Sequence, residues 1–322
     1  MSHPSDAFLA DVLAEPETLA AVLDAYGSSD SPLEGIGAVT ERRVLFTGMG
    51  SSRFAALAAC SLLRASGIDA AVEWASAELN TPPARNQLVV AISASGNTPE
   101  TVEAAERHRG AGRVVAVTND PDSGLAGTAN VVLPLLAGAE AGGVACRTYQ
   151  STVAVLLLLC GRVLGRADLA PAHLRPALDA LRRLHSSRAE WLPDVVGITQ
   201  GGPVDVVAPA ERFSSAEQSA LMLREAPRIR AAACETGDWL HVDVYLTRPP
   251  GYRAILFPGS RYDDDFFCWI EQRECAVVAV GRRTARAALT IAYPSAGDPV
   301  VDLLVETSAV ELIAAELWAR ST

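Results

Sequence analysis

The sequence predicts an α/β protein made of two doubly wound parallel-sheet domains in tandem. Three observations lead there. Short apolar runs, of the length of buried strands, alternate with longer amphipathic stretches, the pattern of a parallel sheet flanked by helices. The alternation occurs twice, with similar element order in each half. In the first half, Gly- and Ser-rich turns stand where strands pass into helices.

Residues 6–26 read as helix, with Leu9, Val12, Leu13, Leu19, Val22 and Leu23 giving an apolar face, and Gly27–Pro32 as a break. This helical segment, 1–40, precedes the first domain, 41–165. There, strands Val44–Thr47, Ala70–Trp74, Leu88–Ser93, Val114–Thr118 and Val131–Leu135 alternate with helices 52–66 and 99–109. A long helix covers 146–164. Residues 166–198, rich in Arg, Ala and Leu, read as a connecting helix with Pro171 and Pro176 near its start. The second domain, 199–322, offers strand Val204–Val207, helix Phe213–Arg224, strand Arg253–Pro258 and helix Asp263–Glu274. Strands Ala276–Val280 and Leu289–Ala292 and a closing helix 300–320 complete it. The repeat lies in architecture, since the Ser-rich turns have no twin in the second half.

A chain of 322 residues is long enough for two ordinary domains, and 49% hydrophobic with 20% charged residues describes a packed protein rather than a disordered one. The longest apolar run, Val153–Cys160, is far too short to span a bilayer, and the N-terminus has no basic leader, so neither membrane nor secretion is expected. The six cysteines form no CxxC pair, and Cys60 and Cys160 sit in apolar helical runs, which suits the cytoplasm. All 27 basic residues are arginines, which excludes Schiff-base, pyridoxal-phosphate and P-loop lysines. A net charge of −11 argues against nucleic acid, which needs a basic face.

Two turns carry the chemistry. Val89–Ile92 runs as a buried strand, Ser93-Ala94-Ser95-Gly96-Asn97 follows, and a helix begins at Thr98-Pro99, with Glu100 in its first turn. Such a turn aims backbone N–H groups and hydroxyls at one point, a ready anion site for which phosphate is the usual occupant. Gly48-Met49-Gly50-Ser51-Ser52 repeats the design after Val44–Thr47. Either turn alone is as well explained by helix capping. The pair favours a ligand site, because ligands of open α/β sheets sit outside the strands' carboxyl ends.

In this setting the chain resembles the sugar isomerase (SIS) domain family, whose domains are flavodoxin-like. It most resembles the tandem form seen in the isomerase half of glucosamine-6-phosphate synthase and in glucosamine-6-phosphate deaminases and fructosamine deglycases. The resemblance begins at Phe8–Glu17 and continues through Gly48–Ser52, Ile92–Thr98, Asn119–Ala126, Ala137–Glu140 and Gly143–Ala145. In the second half, Ala220-Leu-Met-Leu-Arg-Glu225 is similar to A-L-K-L-K-E and Gly237-Asp-Trp-Leu-His241 to G-E-L-K-H. It implies an enzyme acting on an amino-sugar or fructosamine phosphate, without metal or other cofactor. Gly50, Ser51, Ser52, Ser93, Ala94, Ser95 and Thr98 would hold the phosphate, with Val144, Ala145 and Arg147 lining the rest of the substrate site. Glu225 matches the base that moves a proton between C1 and C2, a task that suits a carboxylate whose pKa burial raises. His241 matches the histidine that opens the sugar ring and is supplied by a neighbouring subunit, which implies a homodimer.

Departures accompany the likeness. Ala94 stands where relatives carry Gln, Met222 where they carry the first lysine of K-L-K-E, and Thr148 where V-A-S-T-K has lysine. Arg147 is either a substitute cation or a helix-start arginine in solvent. The chain ends without a D-Q-P-R-N-L-A-K type tail, which raises the alternative of a phosphosugar-binding or regulatory protein without catalysis. Cys146 is expected to be a pocket-wall residue, and Asp263–Asp265 to open a helix rather than bind metal. His3, His108, His173 and His185 fall in charged or Ala-rich stretches and are expected to be solvated.

Overall fold

A computed structural model of the chain describes residues 3–37 and 39–321. Met1, Ser2 and Ala38 of the expected N-terminal segment, and Thr322 of the expected second domain, lie outside the described residues. In place of one helix over 6–26 stand α1 (Pro4–Leu13) and α2 (Glu15–Tyr26), parted at Ala14. Pro16 falls in the first turn of α2, where its missing N–H costs nothing. The first alternation then runs β1 (Arg43–Gly48), α3 (Gly50–Ala65), β2 (Asp69–Trp74), β3 (Gln87–Ile92), α4 (Pro99–His108), β4 (Arg113–Thr118), α5 (Gly124–Thr128), β5 (Val131–Pro134) and α6 (Arg147–Leu164). The connecting stretch is not one helix but α7 (Pro171–Leu174), α8 (Pro176–Ser186) and α9 (Arg188–Thr199). Proline opens both α7 and α8: Ala170 before Pro171 is extended, as a residue before proline prefers, whereas Arg175 before Pro176 keeps α dihedrals.

The second alternation is β6 (Val204–Ala208), α10 (Phe213–Glu225), β7 (Ala231–Glu235), α11 (Thr236–Trp239), β8 (Arg253–Leu256), α12 (Asp263–Gln272), β9 (Ala276–Val280), β10 (Leu289–Ile291) and α13 (Pro299–Arg320). Strand β7 and helix α11 were not expected. Ala231-Ala-Ala-Cys carries little β propensity, and pairing along its whole length with β6 decides its conformation. Among the described residues no helix is long and apolar enough to cross a membrane.

The described residues divide into two compact units. One takes Glu17–Ala139 and Arg147–Arg175 and holds an all-parallel sheet of order β2-β1-β3-β4-β5. Every residue of β3 is buried, as a central strand covered on both faces requires. Leu45, Val89, Ala91, Val114 and Ala116 of the sheet pack with Ala105 of α4 and Leu125 of α5. On α3, Ala55, Ala56 and Ala59 are buried, and the Cys160 thiol of α6 reaches the Ala59 carbonyl at 3.8 Å, so small side chains let the two helices meet.

The other unit takes the chain up to Pro16, Glu140–Cys146 and everything from Pro176. Its sheet is also all-parallel, of order β7-β6-β8-β9-β10, which repeats the 2-1-3-4-5 order of the first. Trp239, Phe266, Phe267, Val207 and Leu256 form one side of its core, with the Trp239 and Phe266 rings 4.5 Å apart. Helix α13 is buried nearly all round against α1, α8, α9 and α10. It carries buried Asp302, Glu306 and Glu311, and Asp302 and Glu306 find their partners on neighbouring elements. Two of the histidines expected in solvent are instead buried, at 3% and 6% exposure for His108 and His185. The His185 Nε2 lies 2.7 Å from the Ser308 hydroxyl and 3.5 Å from Glu15, which gives that ring a reason to be inside. His173 is exposed as expected.

Candidate functional site

In a 2-1-3-4-5 sheet the chain leaves β1 and β3 in opposite directions, which opens a crevice at their carboxyl ends. In the first unit both predicted turns lie there. Gly48 and Ile92 are register partners, and a Cβ on Gly48 would come within 2.9 Å of the Ile92 carbonyl. Glycine therefore lets the two turns approach. Gly50 takes φ +50°, and α3 opens without a side-chain cap, with Ser51 and Ser52 in its first turn and the Ser52 amide donating to the Met49 carbonyl at 3.2 Å. Beside them the Arg53 guanidinium stacks on Trp74 at 4.6 Å from the ring centre, and that indole is 56% exposed. Nothing in the sequence signalled this pair.

The second turn is fixed from behind. Ser93 is buried, with its hydroxyl 3.0 Å from that of Thr98, and Ser95 accepts from the Asn97 amide at 3.2 Å. Thr98 is the N-cap of α4 but makes no side-chain cap bond. The loop after β4 braces the turn: Asn119 N donates to the Ala94 carbonyl (3.0 Å), Leu125 N to that of Gly96 (2.9 Å), and Gly124 N to the Asn97 side chain (3.1 Å). Gly96 takes φ +66°, and a Cβ there would lie 2.0 Å from the Ser123 hydroxyl. Ser93, Ser95 and Thr98 thus share one rigid turn, with Ala94 between them contributing backbone only. In the same unit Arg147 is half-buried at the start of α6, its Nη2 donating to the Ala139 carbonyl at 2.6 Å.

The remaining predicted residues lie in the other unit. Gln218, Met222 and Glu225 occupy one face of α10, at i, i+4 and i+7. That face meets the loop Glu140–Cys146, where the Gln218 amide donates to the Ala145 carbonyl at 2.7 Å. The loop is held in turn by Gly142 N donating to Asp11 (2.7 Å) and by Cys146 N donating to Glu140 (2.7 Å). The Ala145 backbone is thereby held against α10 at Gln218, and Val144 and Cys146 are buried. Burial pushes the Glu225 carboxyl above the ordinary range and the Glu140 charge adds to the rise, while Arg224 and Arg228 oppose it. Sequence reasoning assigned neither Glu140, whose charge acts on Glu225, nor Gln218, although the i, i+7 spacing that puts Gln218 on the same face as Glu225 was there to read. His241 follows α11 in an exposed position. Among the described residues it makes no side-chain hydrogen bond or ion pair to Glu225 or Glu140; its amide donates to the Asp238 carbonyl at 2.9 Å.

The second sheet has the same crevice, between β6 and β8, but a side chain fills it. Buried Arg212 donates to the Pro258 carbonyl beyond β8 and to Glu306 of α13, with Asp302 at 3.5 Å. Tyr293 donates to Asp302 at 2.7 Å. Burial lifts the Glu306 carboxyl to about 7, with Asp302 adding and Arg212 opposing. A Cβ on Gly259 would lie 2.7 Å from the Arg212 guanidinium, so the backbone closes over it. Asp263–Asp265 open α12, and Asp263 accepts from Gly259 N at 2.7 Å.

Comparison with known proteins agrees with this fold. Residues 39–161 match the model of the SIS domain. A glutamine–fructose-6-phosphate aminotransferase (isomerizing) of Aeropyrum pernix is 28% identical over 301 residues, 89% of this chain and 47% of the relative. The chain thus spans about half the length of the curated relatives it matches at their fullest. Among solved structures, the C-terminal domain of glucosamine-fructose-6-phosphate aminotransferase from Francisella tularensis superposes with a TM-score of 0.83 at 16% identity, covering 100% of this chain and 96% of the other. The tagatose-6-phosphate ketose/aldose isomerase of Escherichia coli gives 0.82 at 17% identity, covering 98% and 92%.

Proposed function

We propose that this chain, whose residues 39–161 form a SIS domain, binds a sugar phosphate at the Gly50–Ser52 and Ser93–Thr98 turns and acts on it as an isomerase, deaminase or deglycase. The observation that carries the reading is the convergence of two uncapped helix starts and their hydroxyls on one sheet crevice. Neutral donors can ring a phosphate dianion without a lysine, each charge-assisted hydrogen bond contributing about 1.5–3 kcal/mol. Glu225 is the base that moves the proton between C1 and C2, and burial raises its carboxyl, the direction such a base requires. The names of the relatives support an amino-sugar or ketose phosphate as substrate. We assign residues 41–165 and 199–322 to two SIS domains in tandem, on their shared strand order. Exposed Val242, Tyr245 and Leu246 beside His241 support a homodimer in which that apolar stretch is covered and His241 is supplied to the partner's sugar.

A thermal-shift titration with fructose 6-phosphate, glucosamine 6-phosphate and unphosphorylated glucosamine tests the binding. Stabilisation that grows with ligand requires the phosphate and is lost in Ser93→Ala/Ser95→Ala. Equal shifts with the unphosphorylated sugar would remove the cradle from the reading. Glu225→Gln is expected to keep binding and lose turnover, with unchanged turnover refuting the base. A second reading, binding without catalysis, is favoured by Met222, which leaves the Gln218–Glu225 face of α10 with no cation of its own. Intact binding with no conversion of any of these phosphates selects it.

A further inference from the structure

The second unit holds a cavity of about 400 Å³ at the amino ends of its strands, the opposite edge of the sheet from the Arg212 crevice. Asp205, Arg230, Tyr252, Arg253, Pro249 and Pro250 line it. Asp205 is the second residue of strand β6, which lies between β7 and β8, and is buried at 7% exposure. Its register partners on both neighbouring strands are alanines, Ala232 and Ala254, so the sheet leaves room around a buried carboxylate. Tyr252 donates to that carboxylate at 2.8 Å and accepts from the Trp239 indole at 2.8 Å, which fixes the acid's direction from behind.

The guanidinium of Arg253 is also held. It donates to the Gly251 carbonyl at 2.8 Å and lies over Gly202, where a Cβ would come within 2.6 Å of it. Glycine at 202 therefore makes the seat for this guanidinium. Among the described residues neither Arg230 nor Arg253 pairs with Asp205, although all three line the same cavity. Burial pushes the Asp205 carboxyl up and the Asp243 charge adds, with only the Tyr252 hydrogen bond opposing, so no cation compensates it. Opposite charges facing one space without meeting, between proline walls, complement a molecule that carries both charges on an apolar body.

We infer that this cavity is a binding site for a zwitterionic α-amino acid with an apolar side chain, independent of the sugar-phosphate reading. The ligand's ammonium pairs with Asp205 and accepts the company of the Tyr252 oxygen. Its carboxylate meets the guanidiniums of Arg253 and Arg230, a fork geometry suited to two oxygens. The side chain lies against Pro249 and Pro250. A cavity of this size is in the range of small-molecule sites, which combine apolar walls with a few placed polar groups.

Isothermal titration of the full chain with L-phenylalanine and L-leucine tests it, alongside phenethylamine and 3-phenylpropanoate, which each keep one of the two charges. Saturable binding of an amino acid is expected, with both single-charge analogues at least about 10-fold weaker. Asp205→Asn and Arg253→Gln should each weaken it by a similar factor. Ala232→Leu, which fills the cavity from an exposed position, should abolish it while thermal shifts with fructose 6-phosphate stay as in the parent chain. No saturable heat with either amino acid up to about 10 mM overturns the inference. So does equal binding of the single-charge analogues, or full retention in Ala232→Leu.

Discussion

Gly96 carries the most demanding prediction of the proposed phosphate cradle. Replacing it with alanine imposes two separate costs. A left-handed φ of +66° on a residue with a Cβ costs about 1 kcal/mol. The added methyl would also sit 2.0 Å from the Ser123 hydroxyl, 2.4 Å from Ser123 Cβ and 2.8 Å from the Thr118 hydroxyl. Ser123 cannot simply turn away, because its Oγ donates to the Asp120 carbonyl at 2.7 Å and caps α5 by accepting from Ala126 N. Overpacking of such a wall costs about 1–3 kcal/mol, so Gly96→Ala should lose about 2–4 kcal/mol in all. Gly110→Ala supplies the control: its φ is +77°, with nothing within 4 Å of the added Cβ, so strain alone of about 1 kcal/mol is expected. Thermal denaturation of the two variants against the parent chain measures both losses. Gly96→Ala should also displace Ser95 and weaken fructose 6-phosphate binding, whereas Gly110→Ala should not. Equal losses in the two variants would refute the account of Gly96 as a packing position.

The buried network around Arg212 makes two further predictions. Arg212→Leu leaves Asp302 and Glu306 without their guanidinium, and breaking such a pair costs about 3–5 kcal/mol. The loss in melting temperature should be larger at pH 8 than at pH 5, where Glu306 is protonated; equal losses would contradict this. Glu306→Gln should flatten the pH dependence of stability between pH 5 and 8. The folded Glu306 holds its proton up to about 7 and the unfolded one only to 4.5, so its stabilising contribution is complete below 4.5 and lost as pH rises through 7. The swing is about 3 kcal/mol at most, and melting curves that overlay those of the parent at every pH would disprove it.

The parts of the fold that could be read from sequence were those whose local signals and long-range packing agree. Val89–Ile92 is apolar and mostly β-branched, and every residue of β3 is buried, so local signal and environment coincide. The Ser93–Thr98 turn was legible for a similar reason, since Gly96 and Pro99 have backbone preferences that fit the turn on their own. Strand β7 was hidden because four small residues carry no pattern, and pairing with β6 alone makes them a strand. His108 and His185 were misread because an Ala-rich or charged stretch says nothing about which face carries the ring. For His185 the answer lay 123 residues away, at Ser308. Glu140 reaches Glu225 only through a loop that packs on α10, a relation sequence distance cannot express.

The Arg212 side chain in the second crevice separates two kinds of constraint that a single crevice would confound. In a library of single substitutions scored once for cellular abundance and once for sugar-phosphate binding, the two equivalent turns should part company. Changes at Ser95 or Thr98 should leave abundance intact and appear only in the binding score. Changes at Arg212 or Glu306 should appear first as missing protein. On the proposed function, the chain would contain its own internal reference, with one sheet edge reporting ligand and its topological twin reporting folding.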